Sequence, residues 1–306
     1  MKHLFGAALA AALALAALPA TAAPLKVVAT FSILGDMVRQ IGGDEVSVTT
    51  LVGPDGDAHV YEPTPADARA IAGADLVIVN GLGMEGWIDR LVTASGYKGP
   101  VTVASTGVEP LAAAGEDHGH GHGHNHEHDA VDPHAWQSVA NARIYAGNIL
   151  KGMAAADPGM AGTLRANHAA FAATLDALET EIRTGLSAIP RKDRKIVTSH
   201  DAFGYYGHAY GVTFLAPVGL STEAEPAAGG IARLIRQIRK ERIRAVFVES
   251  IADPRMLEQI ARETGARIGG RVYSDALSPP DGPAATYVDM MRHNLAAFTR
   301  ALAPAS

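Results

Sequence analysis

Short apolar runs alternate with amphipathic segments along the N-terminal half of the chain. Such runs are typical of strands in a parallel sheet that is buried on both faces. Thr64 followed by Pro65 is a helix start, because threonine caps the helix N-terminus and proline fits its first turn. We predict strands at residues 26–31, 46–52, 76–80 and 101–104, and helices at 34–41, after 64 and at 87–92.

The C-terminal half begins with a long apolar stripe. Apolar residues recur at spacings of three and four between Leu164 and Ile189, and Pro158 and Pro190 bound this segment. The spacing predicts one helix of roughly 28 residues, about 42 Å long at 1.5 Å per residue. Beyond it we predict strands at 195–199, 245–249 and 267–273, and helices after 200, at 231–238, from 253 and at 287–302.

The alternation of strands and helices in both halves predicts an α/β fold with two parallel-sheet (βα) lobes. Residues 23–157 are assigned to the N-terminal lobe and 191–306 to the C-terminal lobe, with one long rigid helix at 158–190 joining them. Parallel sheets of this kind bind ligands at the carboxyl ends of their strands. A binding site is therefore expected in the cleft between the lobes.

Residues 1–22 have the pattern of a cleaved signal peptide. Lys2 precedes the apolar run 4–18, and Ala20-Thr21-Ala22 is a small-residue cleavage pattern. An N-terminal membrane anchor is the alternative, but a run of about 15 residues is too short to span ~30 Å of hydrocarbon. The chain has no cysteine, so no thiolate can bind a metal and no lipid can be attached at the cut. We expect a periplasmic protein that is not a lipoprotein.

The charge of the chain bears on its partners. The formal net charge is −6, or −7 once Lys2 is removed. A nucleic-acid-binding protein is expected to present a basic face, so the negative net charge argues against nucleic-acid binding. The mild acidity is compatible with binding a cation.

Six of the thirteen histidines lie in one stretch of low complexity. They alternate with glycine, asparagine and glutamate in residues 112–130, which we interpret as a disordered loop. Imidazole binds zinc, copper and nickel, so the stretch predicts accessory, weak metal binding. An expression tag is the alternative, and the internal position argues against it. The six residues are His118, His120, His122, His124, His126 and His128.

Four other residues follow predicted strands or lie in the loops beyond them. His59 comes after the strand that ends at Val52, His134 lies in Asp132-Pro133-His134, His200 ends a strand, and Asp275 closely follows another. Each one alone is more often a hydrogen-bonded structural residue than a ligand. Together they come from both halves of the chain and point to the same cleft. Three imidazoles and one carboxylate form a set that zinc accepts in tetrahedral geometry.

Around these residues the sequence resembles the periplasmic solute-binding proteins of zinc and manganese ABC importers, the ZnuA and TroA group. The resemblance extends over the whole mature chain, with its pieces in the same order. The matching pieces are DAHVYEPTP at 57–65, NGLGMEGW at 80–87, DPHAW at 132–136, TSHDAFGYY at 198–206 and TYVDMMRHN at 286–294.

The resemblance implies a function and a set of ligands. It implies two α/β lobes on a rigid helix, with His59, His134, His200 and Asp275 binding a metal between them. The protein would capture Zn2+ and deliver it, as a monomer, to an ABC transporter permease in the inner membrane. A periplasmic zinc chaperone is a further candidate partner. Members with a carboxylate in place of His200 favour manganese, so zinc is expected here, with manganese or iron as the alternative.

Dinucleotide binding and zinc hydrolysis fit the sequence less well. The sequence GLGMEG at 81–86 matches the dinucleotide fingerprint, but no acidic residue follows at the expected distance of ~20 residues, so we interpret it as a tight turn. A zinc hydrolase is disfavoured because a catalytic zinc keeps one position open for water, which Asp275 would fill. Asp57, Asp201 and Glu249 are candidate outer partners that hold the ligand imidazoles in one tautomer.

Overall fold

A computed structural model describes residues 23–112, 131–224 and 226–303. The predicted signal peptide and the histidines of the 112–130 stretch lie outside the described residues. Within the described part, no helix is long and apolar enough to cross a membrane.

The N-terminal lobe is built on a four-stranded parallel sheet in the order β2-β1-β3-β4. Every residue of β3 is buried, as expected of a strand covered on both faces. Thr64 caps α2 as predicted: its hydroxyl accepts from the amides of Ala66 and Asp67, and the Asp67 carboxylate accepts from the Thr64 amide. The elements are β1 (Leu25–Phe31), α1 (Ser32–Gly42), β2 (Val46–Val52), α2 (Pro65–Ala72), β3 (Leu76–Val79), α3 (Ile88–Ser95) and β4 (Val101–Val103).

The C-terminal lobe repeats this plan with a second four-stranded parallel sheet, in the order β6-β5-β7-β8. The prediction of two parallel-sheet lobes is therefore confirmed. The short strand β6 was not predicted. The elements are β5 (Lys195–Val197), α6 (Gly204–Tyr210), β6 (Thr213–Leu215), α7 (Ala228–Glu241), β7 (Ala245–Glu249), α8 (Arg255–Thr264), β8 (Arg267–Val272) and α9 (Tyr287–Leu302).

Two helices lie between the sheets in sequence. The predicted long helix is α5 (Ala161–Ser187), whose 27 residues extend about 40 Å. It packs against α1 of the first lobe and α9 of the second, so it contacts both lobes. The preceding helix α4 (Val139–Ala156) was not predicted. The lobe limits at 157 and 190 remain a prediction.

One hydrophobic core joins the two lobes. It includes Phe31 and Trp136 from the first lobe together with Phe203 and Phe298 from the second. Phe298 on α9 contacts the rings of Phe203, Phe214 and Phe247. A smaller core lies between the second sheet and α7 and α8. The shared core fixes how the carboxyl ends of the two sheets face each other.

Candidate metal centre

His59 is held in the loop that follows β2. Its backbone amide donates to Oδ1 of Asp57 (2.9 Å), a local turn of the kind that aspartate forms with the amide two residues on. The indole of Trp87 donates to the carbonyl of Ala58 (2.8 Å) and anchors the same turn. These bonds direct the His59 ring towards the cleft.

His134 is positioned by the same local geometry. Its backbone amide donates to Oδ1 of Asp132 (2.9 Å), and its Nδ1 lies 2.7 Å from the same oxygen. The side-chain amide of Asn80 donates to the carbonyl of Pro133 (3.0 Å) and fixes the loop from β3. With Nδ1 donating to Asp132, the Nε2 atom presents its lone pair to the cleft.

His200 follows β5 in the second lobe. Its backbone amide donates to Oε1 of Glu249 (2.9 Å), and its Nδ1 lies 2.5 Å from Oε2 of the same carboxylate. Glu249 is the last residue of β7, the strand next to β5, and is fully buried. The Nε2 atom of His200 is therefore the one left for a ligand.

Asp275 lies in the loop after β8 and is fully buried. The carbonyl of its neighbour Ser274 accepts from the indole of Trp136 (2.9 Å) and from the side-chain amide of Gln137 (2.8 Å). These two donors lie two and three residues after His134 in the chain, so the ligand loops of the two lobes are tied to each other.

The structure brings the four predicted residues together. One ligand atom from each of them lies within 4.8 Å of the other three. The Nε2 of His59 is 3.1 Å from the Nε2 of His134 and 3.3 Å from Oδ2 of Asp275. The Nε2 of His200 is 3.1 Å from Oδ2 of Asp275, and the Nε2 of His134 is 3.7 Å from its Oδ1. Bonds of ~2.0–2.1 Å in a tetrahedron separate ligand atoms by roughly 3.3 Å, so the cluster fits a tetrahedral cation.

Two features of the cluster favour a positively charged partner. Neither carboxylate oxygen of Asp275 accepts a well-aligned hydrogen bond within the described residues, although both are buried. Buried polar atoms without partners are rare and costly. In addition, the Nε2 atoms of His59 and His134 lie 3.1 Å apart, close enough for one proton or one cation to be shared between them.

The electrostatics of the cluster show how strongly it attracts positive charge. Burial disfavours protonation of His134, but the charge of Asp275 and the hydrogen bond that the His134 ring donates to Asp132 outweigh it and raise the pKa to about 9. Burial likewise opposes protonation of His200, and the carboxylates of Glu249 and Asp275 raise its pKa well above the usual value. Burial would raise the pKa of Asp275, but His200 and His134 lower it well below its usual range. All three shifts have the same physical meaning: the cluster favours positive charge.

The outer partners differ in part from the prediction. Glu249 contacts the His200 ring as predicted, whereas Asp57 holds the backbone of His59 and not its ring. Asp201 makes no described contact with a ligand ring. Asp132, the partner of His134, was missed. The signal was present, because Asp-x-His occurs at both ligand sites of the first lobe.

The GLGMEG segment forms a tight turn, as predicted. Gly81, Leu82 and Gly83 all have positive φ, which a tight strand-to-helix turn requires. The buried carboxylate of Glu85 accepts from the amides of Asn80 (2.6 Å) and Gly81 (3.3 Å). These two backbone amides are therefore bonded to a side chain and are not free for a phosphate.

Known proteins of similar sequence and fold bind metals. The manganese-binding lipoprotein MntA of Halalkalibacterium halodurans is 35% identical over 279 residues, 91% of this chain and 88% of the relative. The iron-binding protein YfeA of Yersinia pestis is 35% identical over 273 residues, 89% and 84% of the two chains. The periplasmic zinc-binding protein TroA of Treponema pallidum superposes with a TM-score of 0.84 at 27% identity, over 92% of this chain and 100% of the other.

These relatives contradict one prediction. A protein that is not a lipoprotein was expected because the chain has no cysteine at the predicted cut. The relative from H. halodurans and relatives from three Streptococcus species are named lipoproteins, which are attached to a membrane. The prediction is therefore wrong in this respect, while a periplasmic or other extracytoplasmic location fits the relatives.

Most of the chain matches the sequence model of one protein family. Residues 27–301 match the sequence model described as zinc-uptake complex component A, periplasmic. The match includes both sheets, α5 and all four residues of the cluster. Its relatives are solute-binding components of transporters rather than enzymes. The chain belongs to the ZnuA/TroA family of periplasmic metal-binding proteins, the substrate-binding components of ABC importers.

Proposed function

We propose that this protein binds Zn2+ through His59, His134, His200 and Asp275 and delivers it to the permease of an ABC importer in the inner membrane. The observation that carries the proposal is the separation of the four ligand atoms, which suits a cation bonded to each at about 2.0–2.2 Å. The unpartnered oxygens of Asp275 support it.

The choice of zinc rests on the ligand types. Three of the four ligands are imidazoles, which suit zinc, copper and iron, whereas manganese prefers oxygen ligands. His200 supplies a nitrogen where manganese-favouring members of the family are expected to carry a carboxylate. Copper binds such sites more tightly than zinc, so selectivity in the cell also depends on which metal is available.

Manganese or iron is the second candidate cargo. The relatives named for manganese and iron share 35% of their aligned residues with this chain, which favours a common site that accepts more than one metal. A zinc hydrolase is disfavoured, because Asp275 takes the position that a catalytic zinc keeps open for water.

The surrounding system is proposed from the family. The permease would receive the metal when the protein docks on it as a monomer, and a periplasmic zinc chaperone would load the site. The histidines at 118–128 would act as an accessory that concentrates zinc near the cleft without contributing to the tight site.

Metal analysis of protein purified from the periplasm, followed by competition with Mn2+ and Fe2+, tests the proposal. We expect one tightly bound zinc per chain, retained against a roughly hundredfold excess of Mn2+, as ligand softness dictates. His200→Asp should shift the preference towards manganese, whereas His168→Ala on α5 is a matched control that should leave it unchanged. Displacement of zinc by equimolar Mn2+ or Fe2+ would favour the second candidate.

A further inference from the structure

The loop between β6 and α7 covers the candidate metal centre. We call residues 216–224 the cover loop. Val218 in this loop forms an isolated parallel bridge with His200, and the Asp201 amide donates to the Gly219 carbonyl (3.2 Å). The base of the cover loop is therefore fixed to the segment that carries the His200 ligand, and both belong to the second lobe.

Two cavities flank the cover loop, and each reaches a different ligand. A cavity of about 550 Å³ is lined by His200 and Thr222, and one of about 380 Å³ is lined by His59, Leu220 and Glu223. The cover loop lies between them and contributes to both walls. The side chains of His59 and His200 are only 4% and 2% exposed. Both ligand rings are therefore almost completely shielded from solvent.

One hydrogen bond ties the cover loop to the opposite lobe. The hydroxyl of Thr222 donates to Oδ2 of Asp57 (2.6 Å), between residues 165 positions apart in the chain. The other oxygen of Asp57 accepts the backbone amide of His59 (2.9 Å). A single carboxylate thus connects the cover loop with the backbone of a metal ligand. Hydrogen bonds to an ionised acceptor are about twice as strong as neutral ones.

We infer that Thr222 is a positioning residue that slows metal release, by holding the cover loop shut and, through Asp57, holding His59 in place. The inference rests on the proposed function. When the Thr222 hydroxyl leaves Asp57, the cover loop and the His59 turn lose their common anchor, and the two cavities can open to His59 and His200 together. The permease would have to break this bond to take the metal.

Stopped-flow transfer of zinc from the loaded protein to an excess of a chromophoric chelator measures the release rate. We expect Thr222→Val, which removes the hydroxyl and keeps the shape, to release zinc about tenfold faster, as loss of a bond to a charged group implies. Thr222→Ser keeps the donor and should release at the wild-type rate.

A second hydroxyl in the cover loop is the matched control. Ser221 accepts the amide of Glu223 (3.2 Å) within the loop and has no described bond to the first lobe. Ser221→Ala should release zinc at the wild-type rate. An unchanged rate in Thr222→Val, or an equal increase in Thr222→Ser or Ser221→Ala, would overturn the inference. Failure of the wild-type protein to bind one zinc would instead overturn the proposed function.

Discussion

Two Asp-x-His turns place the ligands of the first lobe, and they do so in different ways. Asp57 and Asp132 both accept the amide of the histidine two residues on. Only Asp132 also reaches the ring, because its oxygen lies 2.7 Å from Nδ1, whereas Asp57 reaches across to Thr222. The sequence pattern predicts the shared turn, but the second contact of each carboxylate depends on how the lobes pack.

Removing the ring partner of His134 should weaken metal binding. Asp132→Asn keeps an acceptor for the backbone amide of His134. The amide oxygen of asparagine accepts the Nδ1 proton less strongly than a carboxylate does, so the tautomer that presents Nε2 to the metal is less favoured. We expect the dissociation constant for zinc to rise about 10- to 100-fold, as for other outer partners of ligand histidines.

The matched control is Asp157→Asn, which alters the same kind of turn at an exposed position. Among the described residues, the Asp157 carboxylate accepts a hydrogen bond from the amide of Gly159 (2.9 Å) alone, between α4 and α5. The affinity of the Asp157→Asn variant for zinc, measured by chelator competition, should equal that of the wild type. Equal losses in both variants would mean that turn stability, and not the His134 ring, controls binding.

Zinc affinity should rise with pH up to about 9. From the reference pKa of ~6.5 alone, competition by protons would end near neutrality. The raised pKa values of His134, about 9, and of His200 keep protons on the site at pH 7. Binding should therefore release roughly two protons at that pH. Calorimetry in buffers of different ionisation enthalpy measures this number, and a value near zero would contradict the raised pKa values.

The folding stability of the metal-free protein should fall as the pH rises, whereas the affinity for zinc should increase. A raised histidine pKa stabilises the folded state fully below the unfolded value of ~6.5, and this stabilisation is lost as the pH rises through the folded value. For His134 the loss should extend to about pH 9. The increase in melting temperature on adding zinc should therefore be larger at pH 8.5 than at pH 6.5.

At the scale of the elements, helices and strands with a strong local sequence pattern were predicted, and those with a weak pattern were missed. The predicted limits of β2, β7 and α9 agree with the structure, because each is a clear apolar run or stripe. Helix α4 was missed although its buried residues recur at helical spacing, since alanines supply part of that face. Strand β6 has three residues and no buried one, so only its pairing with β5 defines it.

The cap of α2 should contribute to stability without affecting the metal centre. Thr64→Ala removes the acceptor of two helix amides and should lower the free energy of unfolding by about 1 kcal/mol. Thr174→Ala on α5 is the control, because the one described hydrogen bond of that exposed hydroxyl goes to the carbonyl of Ala170 within the same helix. It should be neutral or slightly stabilising. Urea denaturation measures both, and equal losses would contradict the assigned cap.

At the scale of the whole molecule, the metal centre depends on contacts that cross between the lobes. The Trp136 indole bonds to Ser274, and the Tyr287 hydroxyl donates to the Trp136 carbonyl (2.7 Å). The Tyr287 amide donates to Asp36 on α1 (2.8 Å). The sequence predicts which residues end strands, and hence the four ligands, but bonds between residues so far apart in the chain have no local pattern. Asp132 is an exception: it lies two residues before His134 and was missed although the local Asp-x-His pattern was present.

The histidine stretch should assist metal capture without forming the tight site. Deleting residues 116–129, which lie outside the described part of the structure, should remove weak zinc equivalents and leave one tight equivalent. Loading from a donor at low zinc should slow, since a tethered weak ligand raises the local concentration. A variant with the six histidines replaced by serine keeps the length and should behave like the deletion. Loss of the tight equivalent in either variant would place the stretch in the primary site.

Zinc is proposed to bind to His59, His134, His200 and Asp275. The most direct test is anomalous diffraction at the zinc edge from crystals of the zinc-loaded protein. We expect one strong peak within about 2.0–2.1 Å of the three Nε2 atoms and ~2.0–2.2 Å of a carboxylate oxygen of Asp275. A tightly bound zinc at another place, or one that does not coordinate all four of these residues, would show that the proposed set of ligands is wrong.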